Sequence, residues 1–314
     1  MEPLTRQTLR GTWAPVLLPL NDDDSIDYAR LAEELAVLVL AGLDGIYTNG
    51  TASEFHALDE DEYELITGLV AARCSDAGVP FQLGASQMSG QISLRRIRSA
   101  AACAPSAIQV ILPDWCPLSP DEVLIAVDGM ARAAEPFPLV LYNPPHAKTQ
   151  LTPELFGRLA ATFPQLAGIK VAGGDDAWFS EMRARANDLA IFVAGHHLAS
   201  GLRQGAHGSY SNVACMSPAA AVRWYRTMLT DPAAGLSVER DLNAFLDQHV
   251  LPLQRSGYCN AALDKMLAAI GAWAPVGTRT RWPYRGVPED LACEIGRQAR
   301  IELAGFFAAG QQPR

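Results

Sequence analysis

The chain has 314 residues, 49% of them hydrophobic, so it is long enough to bury one large core or two smaller ones. Its formal net charge of −9 at pH 7 argues against a nucleic-acid partner, because phosphate binding requires clustered Lys and Arg. The first ten residues lack the apolar stretch of a signal peptide, and the longest apolar run, residues 35–43, is too short to span a bilayer, so we expect a cytoplasmic protein without membrane contact.

Short apolar runs recur along the first two thirds of the chain, and each is followed by a longer helical pattern. These runs cover residues 13–18, 45–47, 81–83, 108–112, 139–141, 166–169, 191–193 and 208–211. Their spacing of roughly 20 to 35 residues is that of parallel strands joined by helices. Eight such units predict an α/β fold of the (β/α)8 class, the TIM barrel.

The helical patterns have recognisable ends. Asp24 or Ser25 is expected to cap the first helix, which Gly42 would close. After Pro218 the pattern is wholly helical, with helices expected near residues 219–230, 236–250, 257–271 and 288–308. We therefore predict a barrel domain over residues 1–232 and a C-terminal helical extension over residues 233–314.

Tyr142 and Lys170 end two neighbouring predicted strands, and chemistry in this class of barrel sits at that end of the strands. Neighbouring strands lie about 4.8 Å apart, which would bring the phenol within reach of the amine. A lysine must be neutral to attack a carbonyl, and burial lowers its pKa. The two side chains can therefore serve as nucleophile and acid–base group. From this window alone, a lysine that extends to solvent is an equally good interpretation.

Cysteine and histidine spacing predicts no metal site. The six cysteines contain no CxxC pair, which favours reduced thiols over a disulfide framework or a zinc site. His196 and His197 are adjacent, so we expect their rings to diverge, and together with His207 they do not match the spacing of zinc ligands.

Several segments, taken in order, resemble the family of Schiff-base aldolases that includes dihydrodipicolinate synthase and N-acetylneuraminate lyase. They are GTWAP at 11–15, GTASE at 50–54, YNPP at 142–145, GIK at 168–170 and the stretch 205–218, with RWP at 281–283 in the tail. The resemblance spans nearly the whole chain. It implies that Lys170 forms an imine with the ketone of pyruvate or another 2-oxo acid, without a cofactor, and that carbon–carbon cleavage or condensation follows.

The resemblance also implies roles for neighbouring residues. Tyr142 would shuttle protons near the imine, unless it is a barrel-end tyrosine bonded to backbone, and Thr51 would relay protons to it. The turn formed by Gly50, Thr51 and Ala52 would present N–H groups to the carboxylate of the 2-oxo acid, although Ala52 stands where relatives carry a second hydroxyl. Tyr210 would shape the pocket beside bound pyruvate, or it is a packed core aromatic.

Other residues depart from the dihydrodipicolinate synthase pattern. Trp115 replaces a tyrosine of the proton relay, and an indole cannot do the work of a phenol. Residues 142–148 lack the arginine that grips the second carboxylate of aspartate semialdehyde, and Lys148 would offer only a point charge. His196 replaces an acidic residue; it and His146 either contact the hydroxyls or distal acid of a longer substrate, or are structural. These departures argue against the dihydrodipicolinate synthase reaction itself.

The resemblance further implies a homo-oligomer, either a dimer or a tetramer, in which the loop after strand four reaches a neighbouring subunit. Trp115 lies on that loop, so it is either a pocket residue or an interface anchor. Two alternatives to a lyase acting on a small-molecule 2-oxo acid stay open. The same imine can eliminate water from a 2-oxo-3-deoxy sugar acid, or the barrel binds a carboxylate metabolite without turning it over. A serine hydrolase is disfavoured, because the chain has no GxSxG motif.

Overall fold

A computed structural model describes residues 1–308 of the chain. Eight parallel strands close into a barrel in sequence order. They are β1 Gly11–Pro15, β2 Gly45–Thr48, β3 Phe81–Gly84, β4 Ala107–Val110, β5 Leu139–Tyr142, β6 Leu166–Lys170, β7 Ala190–Ala194 and β8 Gly208–Tyr210. Strand β1 pairs with β8, so the barrel has no open edge. The predicted TIM barrel is confirmed, and each strand overlaps the run that predicts it.

The largest difference in strand position concerns β1, which the apolar run predicts over residues 13–18. The strand ends at Pro15, whereas Val16, Leu17 and Leu18 continue as a buried segment beyond it. An apolar run reports burial, and these three residues are buried in the core between the barrel and the surrounding helices without extending the sheet.

Helices surround the barrel and cover its C-terminal end. Those around the barrel are α1 Tyr28–Leu38, α2 Glu60–Ala77, α3 Gly90–Ala102, α4 Pro120–Ala134, α5 Pro153–Thr162, α6 Asp176–Arg185, α7 Leu198–Gln204, α8 Asn212–Met216 and α9 Pro218–Thr230. The C-terminal helical segment contains α10 Pro232–His249, α11 Leu251–Arg255, α12 Asn260–Gly271, α13 Glu289–Glu302 and α14 Ala304–Ala308. The predicted domain boundary falls at the start of α10 and stays a prediction. No helix within residues 1–308 is both long and apolar enough to cross a membrane.

The ends of α1 differ from the prediction. Asp27 caps this helix by accepting hydrogen bonds from two N–H groups of its first turn, at 3.1 and 3.0 Å. Asp24 and Ser25 cannot do so, because the chain is still in a turn there and Ile26 forms a bridge with the segment before it. The helix also ends at Leu38, so Gly42, with φ of +75°, lies in the following turn.

Alternate residues of each strand face two separate cores. In β5, Leu139 and Leu141 face the surrounding helices, whereas Val140 faces the barrel interior. The interior core consists of Leu9, Trp13, Tyr47, Ala107, Val140, Ala167, Ala190, Phe192 and Tyr210. Tyr142 follows Val140 by two residues and therefore points to the same side. The packed interior closes the barrel beneath the C-terminal ends of the strands.

Candidate active site

Lys170 and Tyr142 meet at the C-terminal end of the barrel. Their Cα atoms are direct partners in the β5–β6 ladder, and the Lys170 Nζ lies 4.2 Å from the centroid of the Tyr142 ring. The same Nζ lies 4.9 Å from the ring centroid of Tyr47 and 5.2 Å from that of Tyr210. The expected proximity of the two side chains is observed, and three aromatic rings surround the amine.

The surroundings of Lys170 favour its neutral form. Burial lowers the pKa of its amine from 10.5 to about 8, against an opposing attraction from the Asp264 carboxyl group. Burial also raises the pKa of Tyr142, while hydrogen bonding with the Thr51 side chain lowers it. Near neutral pH the site therefore combines an amine that loses its proton readily with a phenol that keeps its own. This geometry does not fit a lysine that extends to solvent.

The turn after β2 carries N–H groups that can bind an anion. None of the N–H groups of Gly50, Thr51 and Ala52 donates a hydrogen bond to another residue in the range 1–308. Thr51 and Ala52 both line the cavity that contains Lys170. Free backbone donors of this kind form a site for a carboxylate. The geometry thus agrees with the expected place of the 2-oxo acid carboxylate, and the role itself stays a prediction.

A buried ion pair holds this turn against the C-terminal helices. Glu54 has a left-handed backbone (φ of 50°), and its carboxylate pairs with Lys265 of α12. The exposed fractions of the two side chains are 1% and 0%, so water does not screen the pair. Glu54 also accepts a hydrogen bond from the backbone N–H of Arg281 at 2.8 Å. Glu54 is therefore structural, and it connects the turn after β2 to α12.

Two of the cavities formed by residues 1–308 lie at this end of the barrel. The first, of about 650 Å³, contains Lys170 and is closed by α10, α11 and α12. The second, of about 380 Å³, lies above β2 to β5 and has mainly apolar walls, among them Phe55, Leu112 and Tyr284. Tyr142 lines both cavities, so it stands between the amine and the apolar cavity.

His196 and Tyr210 line the Lys170 cavity. The Nδ1 atom of His196 lies 3.1 Å from Oδ1 of Asn212, which also accepts the backbone N–H of His196 at 3.3 Å. Because this oxygen only accepts, Nδ1 carries the proton, and burial lowers the pKa of the ring. The Tyr210 hydroxyl donates to Gln82 at 2.7 Å inside the barrel. Tyr210 is thus both a core aromatic and a wall of the site.

Two residues of the expected site, His146 and Trp115, lie away from Lys170, as does Lys148. His146 is exposed and lines the apolar cavity. Trp115 is 78% exposed and lines neither cavity, so within this chain it is not a pocket residue. Lys148 donates from Nζ to the backbone oxygen of Trp115 at 2.8 Å, and it therefore does not offer its charge to the cavity. The β4–α4 loop carries Trp115 outwards, which the sequence pattern does not reveal.

Sequence reasoning missed Asp264, which lies on α12 and lines the Lys170 cavity. Burial raises the pKa of its carboxyl group to about 7, although the nearby Lys170 amine acts to lower it. A signal was present in the sequence. Residues 261–270 are apolar apart from the adjacent Asp264 and Lys265, and charges inside such a helix need a partner or a function.

The placement of the His196 and His197 rings differs from the sequence expectation. The rings of His196 and His197 do not diverge; their centroids lie 4.1 Å apart, because a short 3₁₀ turn holds both residues. The Nδ1 atom of His207 accepts a hydrogen bond from the N–H of Ile191 at 3.1 Å. Within residues 1–308, no group of three or more His, Cys, Asp and Glu side chains is arranged to hold a metal ion.

Residues 8–284 match the model of the dihydrodipicolinate synthetase family. The chain belongs to this family. A 4-hydroxy-tetrahydrodipicolinate synthase of Thermomicrobium roseum is 26% identical over 275 residues, which are 83% of this chain and 90% of that protein. An N-acetylneuraminate lyase of Escherichia coli is also 26% identical, over 64% of this chain and 67% of that protein.

The fold of this family member is that of solved relatives. The structure of YagE, a dihydrodipicolinic acid synthase family protein of Escherichia coli K12 determined in complex with pyruvate, superposes with a TM-score of 0.81 at 20% identity. The match covers 94% of this chain and 99% of YagE. Family membership supports a lyase-type enzyme of the Schiff-base, class I aldolase kind. At 26% identity to both a synthase and a lyase, the chain is a divergent member of the family.

Proposed function

We propose that this family member is a lyase that forms an imine between Lys170 and pyruvate or a related 2-oxo acid, and then cleaves or makes a carbon–carbon bond beside it. One observation carries the proposal. A lysine amine of lowered pKa shares a cavity with free backbone N–H groups and lies 4.2 Å from the ring centroid of Tyr142. The pyruvate in the YagE structure supports a substrate of this class.

The arrangement divides the reaction among three groups. The neutral Lys170 amine adds to the ketone, and loss of one water gives an iminium that withdraws electrons from the neighbouring carbon. The N–H groups of the turn at residues 50–52 hold the carboxylate and so align the ketone with the amine. Tyr142, coupled to Thr51, gives or takes the proton at the oxygen beside the bond that breaks or forms.

The charges of the two cavities favour a neutral aldehyde as the other product or substrate. Among residues 1–308, Lys170 is the only Lys or Arg that lines either cavity, whereas the acids Asp114, Asp247 and Asp264 also line them. A second carboxylate would meet like charges without a cation to pair with it. We therefore expect aspartate semialdehyde to be a poor substrate.

Reductive trapping tests the imine. Borohydride with pyruvate should attach a carboxyethyl group to Lys170, and peptide mapping is unambiguous because the chain has only three lysines, Lys148, Lys170 and Lys265. Lys170→Arg keeps the charge but offers no neutral amine, so it should give no adduct. Lys148→Arg is the matched control and should be labelled like the wild type. Absence of an adduct with pyruvate and with longer 2-oxo acids rules out the proposal.

The size and lining of the Lys170 cavity favour a second candidate reaction on the same imine. Its volume of about 650 Å³ exceeds what pyruvate needs, and the polar side chains of Asn243, Asp247 and Gln254 line it. A 2-oxo-3-deoxy sugar acid could use these groups for its hydroxyls, and the imine would then eliminate water. Product analysis separates the two reactions, because cleavage releases pyruvate and dehydration retains every carbon. Ligand-induced stabilisation that persists in Lys170→Ala, with no adduct in the wild type, would instead indicate a binding protein.

A further inference from the structure

Asp264 is the acid that α12 contributes to the lining of the Lys170 cavity. Leu263 and Leu267 flank it on α12, are buried, and line the same wall. Asp264 forms no ion pair with another residue in the range 1–308, and the Cys215 thiol, which donates to the backbone oxygen of Ser211, lies close to it. A desolvated carboxyl group without a cation in contact is costly, so its presence here calls for a function.

Two contacts fix the helix that carries Asp264. Lys265, the next residue, is anchored to the turn after β2 by its ion pair with Glu54. At the C-terminal end of α12, Gly271 allows the helix to approach α8 closely, since a Cβ there would lie 1.7 Å from the carbonyl oxygen of Met216. The place of Asp264 is therefore set by packed helices rather than by a loop.

The groups that face Asp264 come from four elements. They are Tyr47 of β2, Tyr142 of β5, Lys170 of β6 and Cys215 of α8, and the cavity wall adds His196, His197 and Asp247. Lys170 is the only Lys or Arg among them, and burial lowers the pKa of His196 so that its ring is neutral at pH 7. Lys170 is therefore the cation that shares the cavity with Asp264.

We propose that Asp264 is the counter-ion of the Lys170 imine, an inference that rests on the proposed function. In the form of the site that reacts, the Lys170 amine is neutral and the Asp264 carboxyl group is protonated. Reaction with a ketone breaks its C=O bond, forms a C=N bond and releases one water. The carboxyl group supplies the proton that balances the step, so the products are an iminium cation and the Asp264 carboxylate. Asp264 acts through Lys170 and not by contact with the substrate.

Other groups are poorly suited to this role. A partly desolvated iminium cation is stabilised by an opposite charge close by. The raised pKa of Tyr142 keeps its phenol uncharged, and the substrate carboxylate is held by the turn at residues 50–52. The carboxyl group of Asp264 titrates near neutral pH and attracts the Lys170 ammonium. It can therefore change charge in step with the amine.

Asp264→Asn tests the proposal, since it removes the charge and keeps the shape. Wild type and variant are incubated with pyruvate, reduced with borohydride across the neutral pH range, and analysed by mass. We expect the midpoint of the low-pH limb, where the rate of adduct formation rises with pH, to move down by about one pH unit. The reason is that the ammonium form of Lys170 loses its attraction to the Asp264 carboxylate. At saturating pyruvate the adduct at neutral pH should fall about tenfold, because the iminium loses the same interaction.

Two further variants separate this role from a structural one. Asp247→Asn removes a charge from the same cavity at an exposed position, where water screens it, so its shift should be smaller. Asp264→Glu restores a carboxylate and should return the acid limb towards the wild-type position. An unchanged limb and yield in Asp264→Asn, or a shift no larger than that of Asp247→Asn, overturns the proposal. No adduct in the wild type would instead reject the proposed function.

Discussion

Burial of Lys170 should set the pH at which the enzyme forms its imine. With a pKa of about 8 instead of 10.5, about 9% of the amine is neutral at pH 7, against about 0.03% for a free lysine side chain. The site therefore presents about 300 times more nucleophile at pH 7 than an exposed lysine does. Because Asp264 titrates in the same range, the observed midpoint belongs to the coupled pair.

The assay is the second-order rate of adduct formation with pyruvate under borohydride, measured as a function of pH at limiting pyruvate. This rate reports the free enzyme, so it should rise with pH and level off above about pH 8. A lysine model compound treated in parallel should keep rising to a much higher pH, since its amine has an ordinary pKa. A wild-type rate that follows the model compound through pH 10 would refute the argument that desolvation activates Lys170.

Tyr142→Phe keeps the ring against the amine and removes the hydroxyl, so trapping should persist while turnover falls about 10²-fold or more; equal losses in both would contradict the assigned role. Glu54→Gln should lower the free energy of unfolding by about 3 kcal/mol, because Lys265 is left buried without its partner. The double variant Glu54→Gln with Lys265→Met should recover most of that lost free energy of unfolding, as measured by denaturant titration. If the effects of the two single substitutions simply add, the two residues are not energetically coupled. Gly271→Ala should cost about 2 kcal/mol through overpacking, whereas Gly68→Ala, with nothing within 4 Å, should stabilise α2 slightly. Similar effects at both glycines would show that α12 does not need the close approach to α8.

Much of the barrel could be predicted from the sequence, because its signals are local. Each strand is a short apolar run, and a run buried on both faces has to be covered by helices. Strand order alone predicts that Tyr142 lies beside Lys170, and the ladder pairs these two residues directly. Local signals gave the wrong strand end at Val16, Leu17 and Leu18, which are buried but do not pair with a neighbouring strand. They also gave the wrong helix start, because a turn precedes α1 and Asp27 is its cap.

Residues outside the strand ends were harder to place. The direction of the β4–α4 loop decides that Trp115 lies on the surface, and no pattern in residues 113–117 encodes that direction. Asp264 is nearly one hundred residues from Lys170 in sequence, and it reaches the site because α12 folds back over the barrel mouth. Long-range packing of this kind leaves only an indirect trace in sequence, here a pair of charges in an apolar helix.

The sequence by itself determined the barrel, the order of its strands and the pairing of a lysine with a tyrosine at one end, because periodic burial and strand order are properties of neighbouring residues. The tertiary structure alone decided the surroundings of that lysine. The three aromatic rings, the free N–H groups after β2 and the carboxyl group of Asp264 come from separate elements. A lowered pKa depends on how much water those elements exclude together, and that is a property of the packed fold.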